Sequence, residues 1–390
     1  MPKGKSTGLW TAGFIILMVA QTCDLLCYNM ITPVVASYAT LQGAGIADAG
    51  IIAGAITFVA IFARPFSGFF SDRLNRKLLI LVTVAVSGIA MLGYAISPNL
   101  GVFTVFRIIH GVAYAVFSTV IVAAAASQIP TERKAEGLGY FSLCYTFASA
   151  IGPALGVWVS DAFSFTALFA MGFVLAVISF VLVLASRTLP GRRPENAGTR
   201  SISWRDFISV RCLPALVISM FFMADWACIS SFLVLSSAER GVEGIALFFT
   251  INALALFFMR PPLGRLVDKR GFKVLFIPAI FIEALSMAAL SVANQLWMFL
   301  VIAVTKSFGH GSWTPALQAE CVKIEESDRS GVAISTFLMG GDIGTALGPI
   351  LGGFICAQAG FGQMYLTCAL FPLIAGVVFA AWQLYLRKRA

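Results

Sequence analysis

The sequence predicts an all-α membrane protein of twelve transmembrane helices, built as two pseudo-symmetric six-helix bundles. Three observations carry that prediction. The 390 residues are 59% hydrophobic and 12% charged, whereas soluble domains are roughly 45–50% apolar and about 25% charged. Runs of ~20 apolar residues, long enough to cross a bilayer as helices, recur twelve times. The chain also repeats itself. Arg64-Pro65-Phe66-Ser67-Gly68 and the following Asp72-Arg73 return as Arg260-Pro261-Pro262-Leu263-Gly264 and Asp268-Lys269. Gly152-Pro153 returns as Gly348-Pro349 and the Arg133 loop as the Arg329 loop, all at a spacing of 196 residues. Barrel strands would show ~10-residue alternating segments instead. Two similar hydrophobic halves in parallel are the mark of a carrier that moves one half against the other.

The runs lie near 9–38, 47–71, 78–96, 100–127, 137–160 and 163–186, then 211–237, 242–268, 272–293, 296–320, 330–357 and 361–386. The first is too long for a signal peptide and lacks a small-residue cleavage site, so it reads as an uncleaved span. Outer turns are as short as Ser97-Pro98-Asn99-Leu100, which leaves no external binding domain and puts any substrate site among the helices. The domain assignment is 1–190 for the first bundle, 191–210 for a polar linker rich in Pro and Gly, and 211–390 for the second. Within the linker region Ile202, Trp204 and Phe207 alternate with Arg205 and Asp206, the pattern of a short helix lying at the membrane surface.

The net charge of +9 is a topology signal. Basic residues fill one set of loops: Lys3, Lys5, Arg73, Arg76, Lys77, Arg133, Lys134, 187–211, 265–273, Lys323, Arg329 and 387–389. The other set holds only Arg240. This positive-inside bias predicts cytoplasmic termini for a multi-pass protein of the inner (plasma) membrane. No loop offers the basic face with stacking aromatics that nucleic acid needs, so no nucleic-acid partner is expected. The eight cysteines show no paired CxxC spacing, so neither a disulfide framework nor a metal site is expected. No nucleotide loop, zinc-protease motif or nucleophile elbow occurs. The chain reads as a non-enzyme without a cofactor.

Gly68-x-x-x-Asp72-Arg73-x-x-Arg76-Lys77 falls between spans two and three. Gly68 permits close helix approach. Asp72 and Arg73 can pair with helix ends and loops to latch one conformation, or they are simply a basic turn. Here the chain resembles the major facilitator superfamily, whose signature loop has this pattern in this place. It departs at Asn75, where the family usually has Gly, and Asn also tolerates left-handed backbone. The second copy, Gly264 to Lys273, restores glycine at Gly271. By the same resemblance Arg76, Arg133 and Asp268 join the latch.

The resemblance covers essentially the whole chain and is nearest the 12-span drug/proton antiporter branch. Arg107-x-x-x-Gly111 in span four is similar to a family motif in which a membrane arginine is associated with proton coupling. Gly152, Pro153 and Gly156 in span five resemble the antiporter motif. Physically, Gly152 and Gly156 make a flat face for tight packing and Pro153 removes a backbone donor, so small-residue packing is the alternative.

In that fold spans one, four, seven and ten line the central cavity. They carry Asp24, Arg107 with His110, Asp225, and Lys306 with His310. A rise of ~1.5 Å per residue places these groups ~10–22 Å deep. Charges there cost at least ~2.5–3.5 kcal/mol, so they face a wet cavity or a partner. The expected pairs are Asp24 with Arg107 and Asp225 with Lys306. A carboxylate away from its basic partner takes up a proton and near it releases one, a workable coupling device. The two histidines titrate in the right range. Structural ion pairs and packed neutral histidines are the alternatives. Glu283 and Glu320 are expected near span ends. Arg64 and Arg260 are expected to reach toward the basic loops.

The leading reading is a monomeric secondary transporter, partnered by the lipid bilayer, protons and a small-molecule substrate. It exports a small organic compound in exchange for protons by alternating access. A proton-coupled uptake carrier or facilitator for an organic acid or sugar is the second reading, and a receptor or scaffold without transport the third.

Overall fold

The computed structural model describes residues 8–44, 46–187, 203–325 and 329–387. They form twelve α-helices: α1 Ala12–Leu41, α2 Ile46–Arg73, α3 Arg76–Ile96, α4 Leu100–Gln128, α5 Lys134–Ala162, α6 Phe165–Ala185, α7 Leu213–Glu239, α8 Ala246–Arg270, α9 Lys273–Val292, α10 Leu296–Ile324, α11 Ser330–Cys368 and α12 Leu370–Arg387. The eleventh and twelfth predicted spans part at Gly360, whose φ of 78° breaks the helical path inside α11. Ten segments qualify as membrane spans by length and hydropathy, the last running 55 residues over Ser330–Leu384. Helix α10 is as long as the others but carries Lys306, His310, Gln318 and Glu320, which makes it too polar to qualify. The predicted linker 191–210 lies outside the described residues as far as 202.

Short polar caps start the helices. Thr11, Asn75, Asn99 and Ser164 each accept the backbone N–H three residues on, opening α1, α3, α4 and α6. Such caps satisfy donors that a helix start leaves open. Asn75 does this with φ −67°. It takes the glycine's place by capping, not by adopting the left-handed backbone expected for it. Gly271 does adopt positive φ, 84°.

The helices fall into two compact units. The first combines Met1–Glu132, Phe141–Ile208 and Asp328–Ser335, so it takes in the first turn of α11. The second combines Arg133–Tyr140, Ser209–Ser327 and Thr336–Ala390, and takes in the first turns of α5.

Each unit has its own core. In the first, Met30, Ile31, Tyr94, Phe103 and Phe169 pack together. In the second, Ile229, Phe248, Met287, Phe299 and Tyr365 do so. Small residues bring the helix axes close, as membrane packing favours. A Cβ on Gly152 would come within 2.6 Å of Asn29, and one on Gly156 would overlap the Met30 carbonyl, so α5 lies directly on α1. Gly340, Gly344 and Gly348 lay α11 on the α7 backbone at Leu216, Met220 and Ala224 in the same way. Large apolar side chains such as Phe58, Phe62, Phe258 and Val377 are left exposed, as lipid-facing positions would be.

Candidate functional site

The second unit holds a buried ion cluster. Lys306 of α10 donates to Asp225 of α7, and its Nζ lies 2.5 Å from Glu283 Oε2 of α9. All three side chains are 1% exposed. Gly309 makes the room: a Cβ there would sit 2.6 Å from the Glu283 carboxyl. The Asp225 and Glu283 carboxyls lie within hydrogen-bonding range of each other, and without a proton between them Asp225 Oδ1 and Glu283 Oε1 have no donor. Two carboxylates face one ammonium, so with both ionised the cluster carries one uncompensated negative charge in a dry site, a costly arrangement. One bound proton makes it neutral. The Asp225–Lys306 pair was expected from sequence, whereas Glu283 was expected near a span end. It lies at the middle of α9.

The first unit is arranged differently. Arg107 is 1% exposed, and its guanidinium donates to the α2 carbonyls of Ile52 (3.3 Å) and Ala53 (2.7 Å). Gly111 allows this approach, since a Cβ there would lie 3.1 Å from Ile56. The expected Asp24–Arg107 pair does not form: the guanidinium is turned to the α2 carbonyls and to the Tyr94 side chain. Asp24 is buried and its Oδ2 has no hydrogen-bond partner, and neither has Oε1 of Gln21, one turn earlier on α1. His110 Nδ1 bonds the Tyr94 hydroxyl at 3.0 Å. His310 packs between Trp226 and Trp313 at ring separations of 5.6 and 5.5 Å. Both histidines have the packed surroundings of the structural alternative.

The repeat register explains what sequence reasoning missed. Asp225, Glu283 and Lys306 stand 196 residues after Asn29, Ser87 and His110. That is the spacing of the loop motifs, and packing follows it to within one residue, because Gly152 abuts Asn29 while Gly348 abuts Ala224, next to Asp225. Asp24, in the corresponding span of the first half, lies five residues before the register position of Asp225, ~7.5 Å along the helix. Strict use of the spacing would have singled out Glu283 as the charged partner of a buried serine position.

The loop motifs are built alike. In the first unit Asp72 accepts the backbone N–H groups of Gly331 (2.6 Å) and Val332 (2.8 Å) at the start of α11. Arg76 bonds the same carboxylate at 3.0 Å and Ser330 Oγ at 2.7 Å. In the second unit Asp268 accepts from Ala135 (3.0 Å) and Glu136 (2.8 Å) at the start of α5. A carboxylate on open N–H groups at a helix N-terminus is favoured by both hydrogen bonding and dipole. Gly68 and Gly264 make room, since a Cβ on either would overlap the incoming helix turn.

Arg133 and Arg265 both bind Glu136, at 2.7 and 2.6 Å. Arg73 binds Asp206 at 2.8 Å, and Phe207 stacks on Phe69 at 4.8 Å. The surface helix expected around Trp204 is thus a single 3-10 turn tied to α2. Arg64 is held in part by α4. Its guanidinium donates to Ser118 (2.6 Å) and Thr119 (3.3 Å) of α4, the nearest polar groups to a buried cation. Arg260 is likewise buried, at 2% exposure.

Twelve helices in two repeated halves, with charged clusters buried inside the bundles, define a multi-pass membrane transporter. The Major Facilitator Superfamily profile matches residues 17–243 and 215–390, and the chain belongs to this superfamily. It is 23% identical over 373 residues to an MFS-type transporter of Methanocaldococcus jannaschii, covering 93% of this chain and 96% of that protein. It is 26% identical over 348 residues to the multidrug resistance protein MdtG of Dickeya zeae, covering 86% and 84%. It is 24% identical over 348 residues to the staphylopine export protein of Staphylococcus aureus, covering 83% and 84%. The crystal structure of the human organic anion transporter MFSD10 superposes with a TM-score of 0.80 at 13% identity, covering 94% of this chain and 98% of that one. That likeness speaks for the fold alone.

Proposed function

We propose that this transporter exports a small organic compound in exchange for protons by alternating access. The observation that carries the reading is the buried Asp225–Glu283–Lys306 cluster, with one carboxylate more than it has cations. A site that is neutral with one proton and charged without it can couple proton binding to conformation. Asp24 and Gln21 are unpartnered acceptors one turn apart, and they suit a substrate that brings N–H donors or positive charge. The relatives named for multidrug resistance and staphylopine export support the outward direction. In this reading 1–190 rocks against 211–390. Asp72, Arg76 and Asp268 hold one conformation through the helix starts they bind, with Arg73 on Asp206 and Arg133 on Glu136 beside them. The chain works as a monomer in the inner membrane with both termini cytoplasmic.

The test uses oriented proteoliposomes under an imposed pH gradient and a panel of lipophilic cations, organic acids and metal-chelating metabolites. Wild type should lose substrate as protons enter. Glu283→Gln should retain substrate binding but lose substrate-driven proton flux by at least tenfold. Substrate gain along with inward protons would overturn export. Unchanged proton flux in Glu283→Gln would remove the cluster from coupling.

A further inference from the structure

We infer that the groove between α9 and α12 binds an anionic phospholipid of the leaflet next to the basic loops. The headgroup would sit at Lys273 and an acyl chain would run along α9. The groove holds ≈ 570 Å³ and is lined by Lys273, Ile277 and Phe281 of α9 with Gly376, Ala380 and Gln383 of α12. Its one charged lining residue, Lys273, stands where α9 begins. Gln383, near the end of α12, is its other long polar group. Gly376 forms the floor, where a Cβ would press Ile280 at 3.1 Å.

The dimensions fit one leaflet. Lys273 to Phe281 is ~12 Å along a helix, and half of a ~30 Å hydrocarbon core is ~15 Å. Phe281 and Leu373 also line a second groove of ≈ 500 Å³, which continues along α9 to Ala288. That continuation, at the depth of the opposite leaflet, has no charged lining residue. The two grooves differ in charge, not in apolar character, and so the first selects a headgroup.

Charge at the mouth is net positive. Lys269 and Arg270 are exposed on the preceding turn. Glu320 is a single carboxylate acting against both Lys273 and Lys323. Among the described residues Lys273 has no hydrogen bond or ion pair beyond the field of Glu320, which leaves its ammonium donors for a phosphate, a group that lysine binds as a point charge. The proposal depends on the helices being in the membrane and not on the direction or coupling of transport.

The experiment is native mass spectrometry of the purified full chain in detergent, titrated with phosphatidylglycerol or phosphatidylcholine of identical acyl chains. Wild type should retain one phosphatidylglycerol with about fivefold preference, the effect of one lysine near an anionic headgroup. Lys273→Gln should abolish the preference and Lys273→Arg should keep it. Ala380→Trp, which fills the groove from its exposed side, should lower retention of both lipids. Equal retention of the two lipids by wild type, or a preference that survives Lys273→Gln, would reduce the groove to ordinary bilayer contact. No arm reads transport, so failure of the export reading and failure of this one are separable.

Discussion

The same three repeat positions hold Asn29, Ser87 and His110 in the first half and Asp225, Glu283 and Lys306 in the second. Backbone packing around them is alike, with a glycine of α5 on α1 and a glycine of α11 on α7. Only the second half is charged there. In the first half Asn29 bonds its own helix at Leu25, His110 bonds Tyr94 and Ser87 Oγ has no partner. One scaffold therefore carries an uncharged polar layer in one copy and an ion cluster in the other. Charge at these sites is not needed to pack the helices, which is why we assign the cluster to function.

The largest expected effect breaks the cluster from within. Lys306→Met leaves Asp225 and Glu283 buried without a cation, which should cost about 3–5 kcal/mol. Replacing all three by their first-half counterparts (Asp225→Asn, Glu283→Ser, Lys306→His) removes every carboxylate along with the cation. That triple variant should lose less stability than Lys306→Met, because no charge is left buried without a partner, although Glu283→Ser still leaves a cavity. Thermal unfolding in detergent, followed by a thiol-reactive dye on the buried cysteines, would rank the three proteins. A triple variant less stable than Lys306→Met would show that the cluster is structural.

The fold was legible because bilayer thickness forces long apolar runs and the repeat forces their pairing. Helix α10 was read as an apolar run at 296–320 although Lys306, His310 and Glu320 dilute its hydropathy. The site was legible in part. Asp225 and Lys306 could be paired because both are isolated charges in apolar runs. Arg107 could not be placed, because it bonds carbonyls of α2, and backbone acceptors leave no mark in a sequence. Glu283 stands ~10 residues into a 20-residue helix, too deep for loop water, so its depth was legible from the run 272–293. Its partner was not, because a lysine on the next helix leaves no mark in the spacing.

The two loop motifs offer a finer comparison. Asp72 and Asp268 each accept two backbone N–H groups, and among the described residues Asp72 also holds an arginine, Arg76. Phe272 stands at the repeat position of Arg76, and Lys323 reaches only to 4.0 Å of Asp268. Asp72→Asn weakens charge-assisted bonds worth about 1.5–3 kcal/mol and strips Arg76 of its carboxylate. Asp268→Asn leaves Arg133 and Arg265 still bound to Glu136. The loss of stability should therefore be larger for Asp72→Asn, by about 1 kcal/mol. Equal losses would mean that Arg76 adds nothing beyond the helix-start bonds.

The smallest effect concerns Asn75 and Gly271, again 196 residues apart. They solve one turn by different means. Asn75 keeps ordinary backbone and spends its side chain on the Leu78 N–H at 3.1 Å. Gly271 has no side chain and turns through φ 84°. Asn75→Ala should cost about 1 kcal/mol and Asn75→Gly only a few tenths, the usual difference between losing an N-cap to alanine and to glycine. Gly271→Ala should cost about 1–3 kcal/mol, because φ 84° with ψ 161° is a region essentially confined to glycine, and Gly271→Asn should cost as much. If Asn75→Gly cost as much as Asn75→Ala, the asparagine would be holding more than the start of α3, and the two loops would differ in what they bind as well as in how they turn.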